Sequence, residues 1–173
     1  MSDQAPRHVV LVGMMGVGKS TVGRAVAAEL QRPLFDSDEM IEAEIGRTVR
    51  EIWKTDGEHA FRELETATLR RALDDDEPSV IAAAGGVVLS ERNREALKSP
   101  DAHVVWLLAD VDTLLDRVRS GGHRPLLDED PAGTLRRMYD ERAELYREVA
   151  DAIVSVDNRS INEVTKAVLR CCA

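Results

Sequence analysis

The stretch that most constrains this chain is a glycine-rich octapeptide, GMMGVGKS, at residues 13–20. It fits the pattern G-x-x-x-x-G-K-[ST], a loop whose backbone N–H groups can surround phosphate oxygens. The apolar run VVLV at 9–12 predicts a buried strand before the loop, and residues 21–30 predict a helix after it. This order matters because a helix N-terminus adds partial positive charge where phosphates would lie. An ordinary glycine-rich turn is the alternative, but the whole arrangement favours a nucleoside triphosphate site.

Four more short apolar runs follow, at 34–35, 80–83, 104–108 and 152–156, with helical stretches between them. Strands that alternate with helices predict a parallel sheet with helices on its faces. We therefore expect an α/β protein, a three-layer αβα sandwich around a five-stranded parallel sheet. A chain of 173 residues is long enough for a substantial core, so residues 1–173 are predicted to form a single domain.

The charge and the cysteines argue against several classes of protein. The chain carries 23 basic and 32 acidic residues, and this net charge of −9 argues against nucleic acid or an anionic membrane surface as a partner. No apolar run approaches the ~20 residues of a membrane-spanning helix. The polar start MSDQAPRH predicts no signal peptide. Cys171 and Cys172 are adjacent and cannot join distant segments, so we expect a reducing, cytoplasmic compartment.

Polar residues follow the predicted strands, and the carboxyl ends of parallel strands meet at one edge of a sheet. Asp36 and Asp38 come directly after the second run. One carboxylate could hold Mg²⁺, directly or through water, while the other orients a substrate hydroxyl. The alternative is that Asp38 only caps a helix. Gly85 and Gly86 follow the third run and could bring backbone N–H groups to a ligand, or form an ordinary turn.

Arginines in later segments have different contexts. Arg62 lies beside an apolar helical stripe and Arg142 lies in a charged helix, and by itself each is interpreted as a surface ion pair, Arg62 with Glu58, Glu63 or Glu65. Residues 120–128, SGGHRPLLD, predict a mobile loop with Arg124 between two glycines and a proline. Such a loop can close over a nucleotide and deliver a cation to the transferring phosphoryl group. A flexible surface loop is the alternative.

In this order, the motifs resemble those of bacterial shikimate kinases, small phosphate-loop kinases of the nucleoside-monophosphate-kinase type. The resemblance spans nearly the whole chain and rests on GMMGVGKSTVGR, FDSDEMIE, TDGEHAFRELE, the glycine turn, RPLL and RAELYREVA. It implies that ATP, with Mg²⁺, phosphorylates the 3-hydroxyl of shikimate to shikimate 3-phosphate, a step of aromatic amino-acid biosynthesis. It also implies a substrate-binding helical region at about 36–64, a mobile lid at about 120–131, and a monomeric enzyme.

The resemblance implies roles for residues on the nucleotide side. Lys19 would contact the ATP phosphates, and Ser20 would ligate Mg²⁺ with help from Asp36, through water. Arg124 would stabilise phosphoryl charge from the lid, and Arg119 would pack on adenine. The ATP-binding residues implied in this way are Gly13, Met14, Met15, Gly16, Val17, Gly18, Lys19, Ser20, Thr21, Arg119 and Arg124.

The resemblance also implies roles on the acceptor side. Asp38 would bind the shikimate hydroxyls and assist deprotonation. Arg62 and Arg142 would grip the carboxylate of shikimate, since two guanidinium forks suit a planar carboxylate. The catalytic residues implied in this way are Lys19, Asp38 and Arg124, and the substrate-binding residues are Asp38, Arg62, Gly85, Gly86 and Arg142.

Ala84 departs from the family pattern, because the family usually has the first of three consecutive glycines there. Its methyl group could be neutral if φ is negative, or it could crowd the substrate. Two other functions stay open. A related kinase could act on another hydroxylated carboxylate, such as gluconate. A nucleotide-binding switch without turnover would also keep the loop, although the intact Lys19 and Asp38 speak against it.

Overall fold

A computed structural model describes residues 6–120 and 129–173. Within them, five parallel strands form one sheet in the order β2-β3-β1-β4-β5. Each strand coincides with one of the predicted apolar runs, so the expected five-stranded parallel sheet is confirmed. The strands are β1 (His8–Val12), β2 (Leu34–Asp36), β3 (Ser79–Ala82), β4 (Ala102–Leu108) and β5 (Ala152–Ser155).

Seven α-helices flank this sheet in the described residues, which confirms the α/β sandwich. A short 3₁₀ helix (Val87–Leu89) follows β3. The helices α1 and α7 pack against each other, as do α5 and α6. The helices are α1 (Lys19–Leu30), α2 (Ser37–Ile45), α3 (Val49–Leu73), α4 (Glu91–Leu97), α5 (Val111–Ser120), α6 (Pro131–Val149) and α7 (Ile161–Cys171).

The central strand β1 determines where a ligand can bind. The chain first runs from β1 towards β2 on one side and later crosses to β4 on the other. The strand order therefore reverses next to β1, and in such sheets a crevice opens beyond the carboxyl ends of the strands. The loop after β1 is the glycine-rich octapeptide, which lies in that crevice.

Two hydrophobic clusters of very different size support the crevice. The larger one surrounds the sheet and includes every apolar residue of β1, together with the fully buried Trp106 and Tyr146, whose rings stack 5.7 Å apart. The smaller one lies between α2 and α3 and is built on Ile41, Ile52 and Phe61. The α2 helix and the first part of α3 are therefore joined by a few apolar contacts, while Leu69 and Ala72 at the end of α3 pack in the main core.

The helix α3 is bent near its first third. A capping box between Thr48 and Glu51 fixes its start, because each side chain bonds to the backbone N–H of the other. Gly57 interrupts the helix with φ 85° and ψ 174°, a left-handed φ that a side chain would strain. The helix axis therefore changes direction at Gly57, and residues 49–56 form a separate helical segment.

Some expectations from the sequence are not decided by this architecture. Most of the expected lid at about 120–131, including Arg124, lies outside the described residues. None of the helices in 6–120 and 129–173 is both long and apolar enough to cross a membrane. The single domain over 1–173 stays a prediction.

Candidate active site

Two adjoining cavities open at the carboxyl edge of the sheet. The first, of about 330 Å³, is lined by the glycine-rich loop and the start of α1, and we call it the loop cavity. The second, of about 540 Å³, is lined mainly by α3, α6 and the turn after β3, and we call it the helical cavity. Both cavities are lined by Met15, Asp38, Ala84 and Gly85, which therefore lie at the boundary between them.

The backbone of the glycine-rich loop shapes the loop cavity. Gly13 has φ 148°, and a Cβ atom there would lie 2.6 Å from the carbonyl oxygen of Leu107 in β4. A side chain at this position would push the loop away from the sheet. Gly18, with φ 104°, is the N-cap of α1 and brings no side chain to its first N–H groups. These donors and the positive end of the helix suit a phosphate.

Lys19 lies across the loop cavity. Its Nζ donates hydrogen bonds to the carbonyl oxygens of Gly13 at 2.8 Å and Met14 at 3.0 Å. These bonds hold the ammonium group beside the loop, within the lining of the cavity. The side chain is therefore placed where an anionic group bound by the loop would meet a positive charge.

Ser20 and Asp36 join α1 to the end of β2. The Ser20 hydroxyl donates a hydrogen bond to Asp36 Oδ2. The other oxygen, Oδ1, accepts hydrogen bonds from the N–H groups of Asp38 at 3.1 Å and Glu39 at 3.3 Å. Asp36 is therefore the N-cap of α2, and the alternative that Asp38 caps this helix is wrong. Asp38 lines both cavities.

The donor set around Ser20 fits Mg²⁺ in chemistry. Mg²⁺ prefers oxygen ligands, keeps several waters and commonly shares substrate phosphates with one or two protein groups. A hydroxyl and a buried carboxylate meet at the floor of the loop cavity. In the part of the chain that the structure describes, no cluster of three His, Cys, Asp or Glu could hold a metal by itself. A metal here would depend on the phosphates of the nucleotide.

Arg62 projects from α3 into the helical cavity. Its Nη1 pairs with Glu65 at 2.6 Å and its Nη2 with Glu58 at 3.4 Å, while the guanidinium lies 5.4 Å from the ring centroid of Trp53. The ion-pair interpretation is therefore correct for Glu58 and Glu65, but the Arg62 side chain is only 23% exposed and faces a cavity. Glu65 is 2% exposed, and burial raises the pKa of its carboxyl, although the Arg62 charge opposes this shift.

Arg142 approaches the same cavity from α6. It is 4% exposed, so the alternative of a surface ion pair is wrong. The Arg142 Nε lies 3.9 Å from Glu141, which is a long ion pair. Among the described residues, the Nε–H groups of Arg142 and Arg62 are both buried and donate to no acceptor, so each keeps an N–H to donate. Two guanidinium groups thus converge on one cavity.

The turn after β3 lies beneath these arginines. A Cβ atom on Gly86 would lie 1.8 Å from Arg62 Nη1, so only glycine lets the guanidinium rest on this turn. The hydroxyl of Tyr146 donates a 2.5 Å hydrogen bond to the Gly85 carbonyl and fixes the turn from below. Complete burial raises the pKa of Tyr146 to about 12, so the phenol keeps the proton that it donates.

Ala84 takes up its place in the turn without strain. Its φ lies outside the left-handed region, which only Gln31 and Asn158 enter among the described non-glycine residues. The methyl group is buried and lines both cavities. The departure from the glycine pattern therefore leaves the backbone intact and narrows the boundary between the cavities.

The two arginines near the end of α5 lie in different environments. Arg119, the residue that the resemblance implied for adenine, is exposed and does not line either cavity. Arg117 lines the loop cavity instead, and its Nη1 donates a 2.8 Å hydrogen bond to the Val17 carbonyl. Two positions along a helix point to nearly opposite faces. The buried Leu114, three residues before Arg117, indicates which of the two arginines faces the loop, and the adenine contact of Arg119 stays a prediction.

Several residues that line the helical cavity were not expected at a site. Trp53 and Phe61 pack in the small cluster, with their ring centroids 5.5 Å apart. They also form the apolar wall of the cavity. The helical spacing of Val49 and Trp53 identifies their shared face, but only the bend at Gly57 shows that the face borders a cavity.

Known proteins of similar sequence are shikimate kinases. A family model described as shikimate kinase matches residues 15–173. The chain is 42% identical over 165 residues to the shikimate kinase of Symbiobacterium thermophilum, with 94% of each chain covered. It is 44% identical over 163 residues to the shikimate kinase of Burkholderia lata, with 94% of this chain and 88% of the relative covered.

Solved structures agree with the sequence comparison. A shikimate kinase from Acinetobacter baumannii in complex with shikimate is 36% identical, with a TM-score of 0.89 and coverage of 94% of this chain and 90% of that one. A shikimate kinase from Aquifex aeolicus is 29% identical, with a TM-score of 0.82 and 95% of each chain covered. A gluconokinase from Sinorhizobium meliloti is 20% identical, with a TM-score of 0.62 and coverage of 98% of this chain and 93% of that one. At this identity the likeness shows the fold alone.

Proposed function

Because this chain belongs to the shikimate kinase family and is therefore a kinase that phosphorylates shikimate, we propose how its two cavities divide the reaction. The loop cavity takes the phosphates of ATP and the helical cavity takes shikimate. Asp38 carries this proposal, since it lines both cavities at their boundary. The transferring phosphoryl group would pass beside it, from ATP to the 3-hydroxyl.

On the nucleotide side, the protein supplies donors and positive charge. The loop N–H groups and Lys19 hold the phosphates, and Arg117 supports the loop from α5 and faces the same cavity. Arg119, at the end of the same helix, keeps the proposed contact with adenine. Ser20 and Asp36 would hold Mg²⁺ against the phosphates, and the ion would neutralise charge that develops during transfer.

On the acceptor side, the protein positions one hydroxyl. Arg62 and Arg142 bind the shikimate carboxylate, each with an N–H left to donate. Glu65 holds Arg62 in place through its 2.6 Å ion pair. Asp38 accepts the proton of the shikimate 3-hydroxyl while the hydroxyl oxygen bonds to the γ-phosphorus of ATP. ADP leaves with the electron pair of the broken P–O bond. Catalysis then consists mainly of positioning and charge neutralisation.

Several wider expectations accompany this proposal. We expect Mg²⁺ dependence, a place in aromatic amino-acid biosynthesis, a monomer, and no nucleic-acid or membrane partner. The cytoplasmic compartment is likewise a prediction, and it rests on Cys171 and Cys172, which are both free thiols. Arg124 stays the predicted lid arginine.

A coupled assay of ADP release tests the function directly. The purified chain is supplied with ATP, Mg²⁺ and either shikimate, gluconate or no acceptor. We expect ADP release only with shikimate, with formation of shikimate 3-phosphate. Faster turnover with gluconate would favour the related kinase, and nucleotide binding without any turnover would favour a switch. Either result would overturn the proposal.

A further inference from the structure

Arg50 and Lys54 line the helical cavity, but the mechanism above does not use them. They lie one turn apart in the first segment of α3, on the same face as Val49 and Trp53. Both residues are exposed, whereas Arg142 at the far side of the cavity lining is buried. They are therefore at the mouth of the cavity rather than at its floor.

No carboxylate in the described part of the chain neutralises this pair. Across residues 6–120 and 129–173, neither Arg50 nor Lys54 makes a hydrogen bond or an ion pair. The nearest acidic residues in the sequence, Glu51, Asp56 and Glu58, are engaged with Thr48, Arg47 and Arg62 respectively. Like charges one helical turn apart destabilise a helix. Helix stability therefore does not account for the pair.

The pair determines the charge of the cavity. Among the described residues, four cationic and two acidic side chains line it, so this part of the lining has a formal excess of two positive charges, and the excess disappears without Arg50 and Lys54. The whole chain has a net charge of −9 and would repel an anion. The charged lining residues are Asp38, Arg50, Lys54, Arg62, Glu65 and Arg142.

We propose that Arg50 and Lys54 form a cationic entrance that attracts the carboxylate of shikimate and retains the phosphorylated product. The proposal rests on the proposed function, because it concerns the acceptor of that reaction. Local cations at the mouth of a cleft raise the concentration and the association rate of an anionic ligand there. Because both side chains are exposed, salt will weaken their attraction for an anion that is farther away than the Debye length of ~8–10 Å. The entrance acts on binding, not on the chemical step.

The double variant Arg50→Gln/Lys54→Gln tests the entrance. At low ionic strength we expect its KM for shikimate to rise ~5–10-fold, with kcat and the KM for ATP within about twofold of wild type. In 0.5 M KCl the difference should nearly vanish. Product inhibition by shikimate 3-phosphate should weaken by a larger factor than the KM changes, because the product carries more negative charge. Equilibrium titration of tryptophan fluorescence with shikimate, with Trp53 in the cavity lining, measures the affinity without turnover.

A matched control has the same change in net charge. Arg92→Gln/Lys166→Gln removes one exposed arginine and one exposed lysine that line neither cavity, and it should keep the wild-type KM and its salt dependence. Equal behaviour of the two double variants would overturn the entrance. The entrance would also be overturned if Arg50→Gln/Lys54→Gln kept its raised KM for shikimate in 0.5 M KCl and showed an altered circular dichroism spectrum. A wild-type chain without shikimate-dependent ADP release would instead sink the proposed function.

Discussion

The two cavities are adjacent but are built in different ways. The loop cavity is formed mostly by backbone that rests on the main core, with Met14 and Val17 of the loop buried in it. The helical cavity is formed by side chains from α3 and α6, and one wall rests on the three-residue cluster of Ile41, Ile52 and Phe61. Substitutions on the acceptor side should therefore change ligand binding one side chain at a time, while the nucleotide side stays intact.

The largest effect is expected at the boundary. Asp38→Asn removes the carboxylate that would accept the hydroxyl proton, so kcat should fall by roughly 10²–10⁴-fold. Nucleotide affinity, measured by calorimetry, should stay within about threefold of wild type, since the loop backbone holds the phosphates. Asp112→Asn changes an exposed carboxylate on α5 and should leave both quantities unchanged. Near-normal turnover in Asp38→Asn would remove this residue from the mechanism.

The next effect concerns the carboxylate clamp. Arg142→Ala should raise the KM for shikimate ~30-fold or more, because truncating one partner of a buried charge interaction typically costs about 2–5 kcal/mol. The KM for ATP should not change. Arg142→Lys should recover little of the loss, since an ammonium cannot form a planar fork. The exposed Arg137, five residues earlier on α6, is the control position for Arg→Ala. An unchanged shikimate KM in Arg142→Ala and in Arg62→Ala would refute the clamp.

A smaller effect should follow from crowding the turn. Gly86→Ala adds a methyl group whose carbon would lie only 1.8 Å from Arg62 Nη1, so the guanidinium must move. We expect a ~10-fold higher KM for shikimate from a displaced but intact arginine, an order of magnitude per ~1.4 kcal/mol. Ala84→Gly, the neighbouring change in the opposite direction, should alter KM by less than threefold. Steady-state kinetics with both substrates would show whether the helical cavity alone responds.

The smallest expected effect is on the free energy of unfolding and does not involve either cavity. His8 is fully buried at the opposite edge of the sheet, where Nδ1 and the Ser79 hydroxyl are 2.8 Å apart, and burial lowers its pKa from the ordinary 6.5. The unfolded chain therefore binds more protons once the pH falls below about 6.5, and the free energy of unfolding should decline by at most ~1.4 kcal/mol per pH unit.

Urea unfolding at pH 7.5 and 5.5 measures this decline. His8→Asn should show a smaller decrease than wild type between the two pH values. The exposed His59 is the control, and His59→Asn should keep the wild-type decrease. A His8→Asn variant with undiminished pH dependence would exclude His8 as its source.

Much of this protein follows from local sequence. The strand-loop-helix order around residues 13–20 and the five apolar runs predicted the sheet, because strand pairing and helix formation depend on periodicity that short segments carry. The phosphate loop was predictable for the same reason, since its N–H groups, glycines and helix terminus are contiguous. The position after the second strand also pointed to Asp36 and Asp38, whereas the division of roles between them and the substrate-binding roles of Arg62 and Arg142 came only from a family resemblance.

Other features were decided by the tertiary structure. Whether Arg142 is a surface ion pair or a buried cation depends on what α6 packs against, and sequence spacing alone left both open. Arg117 rather than Arg119 faces the loop, and Asp36 rather than Asp38 caps α2, because each choice depends on the direction of a neighbouring element. Arg50 and Lys54 become a cavity mouth only through the bend at Gly57. Sequence periodicity determines which elements form, whereas the crossing of those elements determines which side chains share a cavity.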